Sequence, residues 1–193
     1  MSTGASCLHH RSHRTMAGKV VRSSMDQQTL ADVLLQALNT ERNGYQFYRL
    51  AAERSEDQGA RDTFAELAEE EKSHFEALQQ QYSSVIDGAA WDADLEWTRP
   101  IDDDTTAPPF GERFRDRLGS QHVAMSALSI GILLERDSHI FYSKQSEQPF
   151  PPEIKALFRN LAEWENRHYQ TLLRQDEALR DDSWQANRFA PLD

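Results

Sequence analysis

Residues 67–75 read LAEEEKSHF, and residues 161–169 read LAEWENRHY. The two segments align at an offset of 94 residues, and the same offset relates residues 41–48, ERNGYQFY, to residues 135–142, ERDSHIFY. Around all four, apolar residues recur every three or four positions, the spacing of one face of an α-helix. A helical unit is therefore used twice. The helix carrying Glu41 is repeated as the helix carrying Glu135, and the helix carrying Glu71 and His74 as the helix carrying Glu165 and His168. Such a duplication predicts an approximate two-fold axis through one domain.

Working outward, four helices are expected at about 28–54, 60–82, 121–145 and 153–179. Turn chemistry at Ser55, Asp57 and Gly59 separates the first two. Pro149, Pro151 and Pro152 stop the third helix and start the fourth, because proline is tolerated in a first helical turn. The middle connection, about 83–118, is long and irregular and holds Trp91, Trp97, Pro100, an Asp102–Asp104 run, Pro108 and Pro109. Short outer turns imply antiparallel hairpins, and the long connection reaches back along them. The expected fold is all-α, a ferritin-like four-helix bundle of two antiparallel hairpins joined by a long crossover. The bundle would occupy residues 26–180, between a basic tail (1–25) and a C-terminal tail (181–193) docked on the bundle through Trp184 and Phe189.

Composition narrows the function classes. With 38% apolar residues in 193, the chain can build a single core. Its mean hydropathy is −0.74, and the longest uncharged apolar stretch, residues 124–134, is too short to cross a bilayer. Net charge is −11, yet residues 1–25 carry Arg11, Arg14, Lys19 and Arg22 with no acid, leaving about −15 on the remainder. An acidic body excludes nucleic acid and anionic membranes as expected partners, since phosphate binding needs clustered Lys and Arg. Cys7 is the single cysteine, so there is no internal disulfide and no thiolate metal site. A cytoplasmic location fits that usage. Residues 1–25 lack the apolar run of a signal peptide and read as a disordered tail, with Met16 and Met25 as alternative starts or an organelle-targeting segment as the other reading. Within it, His9, His10 and His13 read as tail residues.

The unusual polar residues decide the chemistry. Glu71 and His74 fall on the apolar stripe of Phe64, Leu67, Ala68, Phe75 and Leu78, while Glu165 and His168 fall on that of Phe158, Leu161, Ala162, Tyr169 and Leu172. Glu41 and Glu135 sit on the stripes of the other two helices. Each Glu-x-x-His pair shares a face and can reach one point. A bare carboxylate facing a core costs several kcal/mol unless compensated, and four would repel one another. Two divalent cations remove both problems. A glutamate from each of two helices and a Glu-x-x-His from each of the others form the ligand pattern of a dimetal carboxylate centre. The donor set suits iron or manganese, with zinc also possible. Chance placement of 7 His and 16 Glu in 193 residues gives roughly 0.6 Glu-x-x-His matches, so one match means nothing, whereas two at the repeat offset and on core stripes are informative. Glu69, Glu70 and Glu163 read as solvated, with Glu70 able to compete with Glu71 only by pairing with His74 four residues on. His122 reads as a helix-terminus residue, and the Asp102–Asp104 run as a solvated loop.

The chain also resembles the rubrerythrins of the ferritin-like superfamily. Their signature, Glu-x6-Tyr on helices one and three and Glu-x-x-His on helices two and four, is met by Glu41 with Tyr48, Glu71 with His74, Glu135 with Tyr142, and Glu165 with His168, over about residues 28–179. The resemblance implies two iron ions bridged by Glu71 and Glu165, with Glu41 and Glu135 as terminal ligands and His74 and His168 capping one iron each. Tyr48 and Tyr142 would hydrogen-bond ligand carboxylates or supply electrons, the other reading being core aromatics that fill space. Two departures stand out. Rubrerythrins commonly carry a further glutamate where this chain has Ser138; His139 lies on the same stripe as a possible additional ligand. The four cysteines of a rubredoxin domain are absent, so electrons would come from an external donor, rubredoxin-like or a flavin reductase.

Three functions fit these residues. The first is a non-haem di-iron oxidoreductase of the peroxidase type, reducing hydrogen peroxide or dioxygen and limiting oxidative stress. The second keeps the site but oxidises iron for handling or storage, as a ferroxidase; Ser138 favours it, because four glutamates and two histidines are what ferritin-type centres use. The third is a metal-free or zinc-stabilised helical interaction module. The resemblance further implies a homodimer.

Overall fold

The computed structural model describes residues 24–87 and 121–188, which form four α-helices: α1 (Ser24–Arg54), α2 (Gln58–Ile86), α3 (Gln121–Glu147) and α4 (Pro152–Arg188). No strand occurs among the described residues. The expected crossover beyond residue 87, the basic tail and the side chains of the C-terminal tail, with its docking, lie outside the described residues.

Local chemistry fixes the helix ends. The Ser55 hydroxyl donates to the Ala51 carbonyl at 2.7 Å, closing α1, and the Arg61 guanidinium donates to the Ser55 carbonyl at 2.9 Å. Asp57 caps α2 from an extended backbone, its carboxylate accepting from the Ala60 amide at 2.9 Å. The cap is thus Asp57, and α2 starts two residues earlier than a break at Gly59 predicts. In α4 the first-turn bond runs from the Lys155 amide to the Pro151 carbonyl at 3.0 Å, with Pro152 where its missing N–H costs nothing. This helix continues to Arg188, beyond the expected end near 179, because no glycine or proline interrupts the chain before Pro191.

α1 packs along α2 and α3 along α4, while α1 meets α3 to join the hairpins. The core forms two apolar clusters. One gathers Leu30, Leu34 and Leu38 of α1, Leu78 and Val85 of α2, Tyr142 of α3, and Ile154, Phe158 and Leu161 of α4. The other gathers Tyr48 and Ala51 of α1, Phe64 and Leu67 of α2, Ala124 and Leu128 of α3, and Leu172 of α4. The helix positions that separate the clusters carry Glu41, Glu71, His74, Glu135, Glu165 and His168, none more than 5% exposed. The duplication is visible in side-chain geometry: Tyr48 stacks on Phe64 and Tyr142 on Phe158, both with ring centroids 6.2 Å apart. No described helix is long and apolar enough to cross a membrane.

Candidate metal centre

All six candidate ligands converge between the two apolar clusters. One atom each from Glu41, Glu71, His74 and Glu165 lies within 4.8 Å of the others, and the same holds for Glu71, Glu135, Glu165 and His168. Glu71 and Glu165 belong to both groups, the arrangement of carboxylates shared between two ions. His74 Nδ1 lies 3.1 Å from Glu41 Oε2 and 3.7 Å from Glu165 Oε1. His168 Nδ1 lies 3.1 Å from Glu71 Oε1 and 3.4 Å from Glu135 Oε2. Both imidazoles therefore turn Nδ1 inward, as the Glu-x-x-His spacing allows.

The tyrosines are bound into the site. Tyr48 of α1 donates its hydroxyl proton to Glu135 Oε1 on α3, and Tyr142 of α3 donates to Glu41 Oε1 on α1. Each holds one oxygen of a carboxylate on the opposite hairpin. They are more than space-filling aromatics, although both are fully buried.

Electrostatics show what the cluster lacks. Burial, then the charges of Glu41 and Glu135, push Glu71 well above the usual carboxylate range; burial, then Glu71, Glu41 and Glu135, do the same to Glu165. Burial also pushes Glu135 up, but the positive charge of His168, 3.4 Å away, and the hydrogen bond from Tyr48 to its other oxygen bring it below that range. Burial disfavours a charged His168, yet Glu135, Glu70 and Glu71 outweigh it and hold the imidazole well above its ordinary value. Burial and the adjacent carboxylates raise both tyrosines, which stay neutral donors. Protons and one imidazolium thus do incompletely what cations would do fully.

The fit to metal ions rests on four atoms. Glu71 Oε1, Glu135 Oε2, Glu165 Oε1 and His168 Nδ1 are each buried without a hydrogen-bond partner, and they belong to the four residues of the second group. Buried polar atoms without partners are uncommon and costly. An ion would take the lone pairs of the three carboxylate oxygens and, once its proton leaves, that of His168 Nδ1, and so satisfy all four. Oxygen and imidazole donors with no thiolate fit a hard or borderline divalent cation.

Some residues fall elsewhere. His139 joins neither group; its Nδ1 donates to the Ala162 carbonyl of α4 at 2.8 Å. Ser138, where a seventh carboxylate was considered, is half-buried, and Glu69 and Glu163 are solvated as expected. His122 falls in the first turn of α3, while Asp102–Asp104 and the N-terminal histidines lie outside the described residues. Glu70 corrects the expectation: it pairs with His168 Nε2 at 2.6 Å across the centre rather than with His74 on its own helix. Trp164 stacks on His74 with ring centroids 4.4 Å apart, and Gly44 lets the Glu71 carboxylate approach the α1 backbone. Comparing the two repeats position by position was the available signal for Glu70 and Trp164, which occupy the same repeat position.

Comparison with curated proteins and with solved structures gives no match. The family model described as Rubrerythrin matches residues 11–82 and 32–175, spanning most of the chain and every residue of the centre. With that match and the buried glutamate–histidine groups, the chain belongs to the rubrerythrin family.

Proposed function

We propose that the protein is a non-haem di-iron oxidoreductase that reduces hydrogen peroxide or dioxygen with electrons from an external donor. The observation that carries this reading is the convergence of four glutamates and two histidines, with Glu71 and Glu165 common to both groups. Glu41 and His74 would complete one ion's ligands, and Glu135 and His168 the other's. A pair of ferrous ions held there would supply the two electrons needed to cleave an O–O bond.

The chain's own residues supply the rest. The Tyr48 and Tyr142 hydroxyls restrain Glu135 and Glu41, leaving the second oxygen of each turned to the centre. Burial keeps both phenols protonated, so they remain donors while charge changes beside them. The apolar clusters on either side exclude bulk water and strengthen every charge interaction inside. The carboxylates that hold protons in the metal-free chain, Glu71 and Glu165, release them on binding cations.

To test the reading, protein loaded anaerobically with Fe(II) is mixed with peroxide and the ferric absorbance is followed in time. Rapid oxidation of two irons per chain is expected, with Glu71→Ala abolishing it. Slow oxidation in the wild type, or unchanged oxidation in the variant, contradicts it. Ser138 favours a second use of the same site, ferroxidation for iron handling. Release of ferric iron into solution supports that use, and a retained ferric pair that an added reductant cycles supports the first.

A further inference from the structure

The two halves of the centre differ at one repeat position. Residue 70 of α2 and residue 164 of α4 are related by the 94-residue offset, yet one is glutamate and the other tryptophan. Each sits beside the imidazole carried by the other helix. Glu70 Oε2 lies 2.6 Å from His168 Nε2, while the Trp164 indole lies against the His74 ring at 4.4 Å and 7° from parallel. A nearly symmetric scaffold has placed an anionic acceptor behind one imidazole and a neutral aromatic plate behind the other.

The consequences differ for the two Nδ1 atoms. With Glu70 accepting from Nε2–H, Nδ1 is the nitrogen that faces the centre and, once its own proton leaves, the one that can bind an ion. A carboxylate behind a ligating imidazole also strengthens it as a donor and fixes its orientation. Stacking fixes the plane of His74 but brings no charge. A second observation is compatible with this: of the partnerless buried atoms of the centre, Glu135 Oε2 and His168 Nδ1 belong to the His168 group alone, Glu71 Oε1 and Glu165 Oε1 belong to residues of both groups, and none belongs to the His74 group alone.

We propose that Glu70 is a positioning residue that makes the His168 position the stronger metal site, so that the centre loads in a fixed order. The first ion lies among Glu71, Glu135, Glu165 and His168, and the second among Glu41, Glu71, His74 and Glu165. This rests on reading the centre as a two-metal site.

The experiment is an anaerobic titration of the metal-free full chain with Co(II), read by calorimetry and visible absorbance, together with ring-nitrogen NMR of the His168 tautomer in Zn(II)-loaded protein. Wild type is expected to bind in two resolved steps, with His168 protonated on Nε2. Glu70→Ala should weaken the first step about 10- to 100-fold, the usual effect of removing such a partner, and leave the second nearly unchanged. Glu70→Gln, which keeps an acceptor without the charge and preserves shape, should fall between them. Trp164→Glu should bring the second step toward the first. Two equal steps in wild type, or a first step unmoved in both Glu70 variants, overturns the ordering while leaving the two-metal reading intact. Failure of wild type to bind two ions overturns that reading and the ordering with it.

Discussion

Replacing Gly44 by alanine adds a single carbon that the centre has no room for. A Cβ at this position would stand 2.7 Å from Glu71 Oε2, 3.0 Å from its Cδ and 3.3 Å from its Cγ. Ordinary contact begins at 3.4 Å, so the carboxylate must retreat by about 0.7 Å. Glu71 is 3% exposed, so it has no solvent to swing into. Metal–oxygen distances tolerate only about 0.2 Å, and Glu71 belongs to both ligand groups, so both ions should lose a ligand. We expect each binding step to weaken at least about tenfold, or about 1.4 kcal/mol. The helix responds in the opposite sense. Alanine is favoured over glycine by about 1 kcal/mol inside a helix, which offsets the local strain, so the metal-free protein should melt within about 5 °C of wild type. Calorimetric metal titration with a parallel circular dichroism melt separates the two effects. Wild-type affinity in Gly44→Ala would refute the placement of Glu71 at the ions.

Other consequences are equally direct. Tyr48→Phe and Tyr142→Phe each remove one donor from a buried carboxylate, of Glu135 and Glu41 respectively, and should cost the metal-free fold about 1–3 kcal/mol in urea denaturation; a cost near zero in both would show that the hydroxyls do not restrain the ligands. pH should act in opposite directions with and without metal. In the metal-free chain, burial and the neighbouring acids hold Glu71 and Glu165 above 4.5, and Glu135, Glu70 and Glu71 overcome burial to hold His168 above 6.5. The folded chain then keeps protons that the unfolded chain has released, so its stability falls as pH rises through these raised values. Glu135, held below 4.5, contributes the reverse, and its stabilisation disappears as pH falls through that lowered value. Melting temperatures in chelator should therefore peak in mildly acidic buffer and decline toward neutrality, whereas excess metal should make them rise over the same range, because metal binds the deprotonated ligands. A metal-free melting temperature that climbs steadily toward neutral pH would contradict the electrostatics.

Much of the molecule is legible in the sequence because two strong signals coincide. Helical periodicity located the four elements, and charged residues on apolar stripes have few physical explanations, so the six centre residues were identifiable before any coordinates. What a single helix pattern cannot report is the neighbour across the bundle. His139 shares the stripe of Glu135, but its ring reaches the Ala162 carbonyl instead of the centre. Glu70 looked solvated on its own helix, and its partner belongs to α4. The tyrosines were placed near ligand carboxylates by resemblance alone; that each serves the glutamate of the other hairpin follows only from the antiparallel packing of α1 against α3. Gly44 read as one weak helix former among many, and only the approach of Glu71 gives it a reason. α4 runs to Arg188, past the expected end near 179, because nothing in the sequence before Pro191 breaks a helix.

Metal content per folded chain, measured by elemental analysis of the purified full-length protein and of Glu71→Ala beside it, tests the central claim most directly. Two equivalents of iron or manganese in the wild type, and a large loss in the variant, are the expected result. A wild-type chain that folds, stays fully helical and carries no stoichiometric metal, even after anaerobic loading, would mean that protons alone neutralise the buried acids.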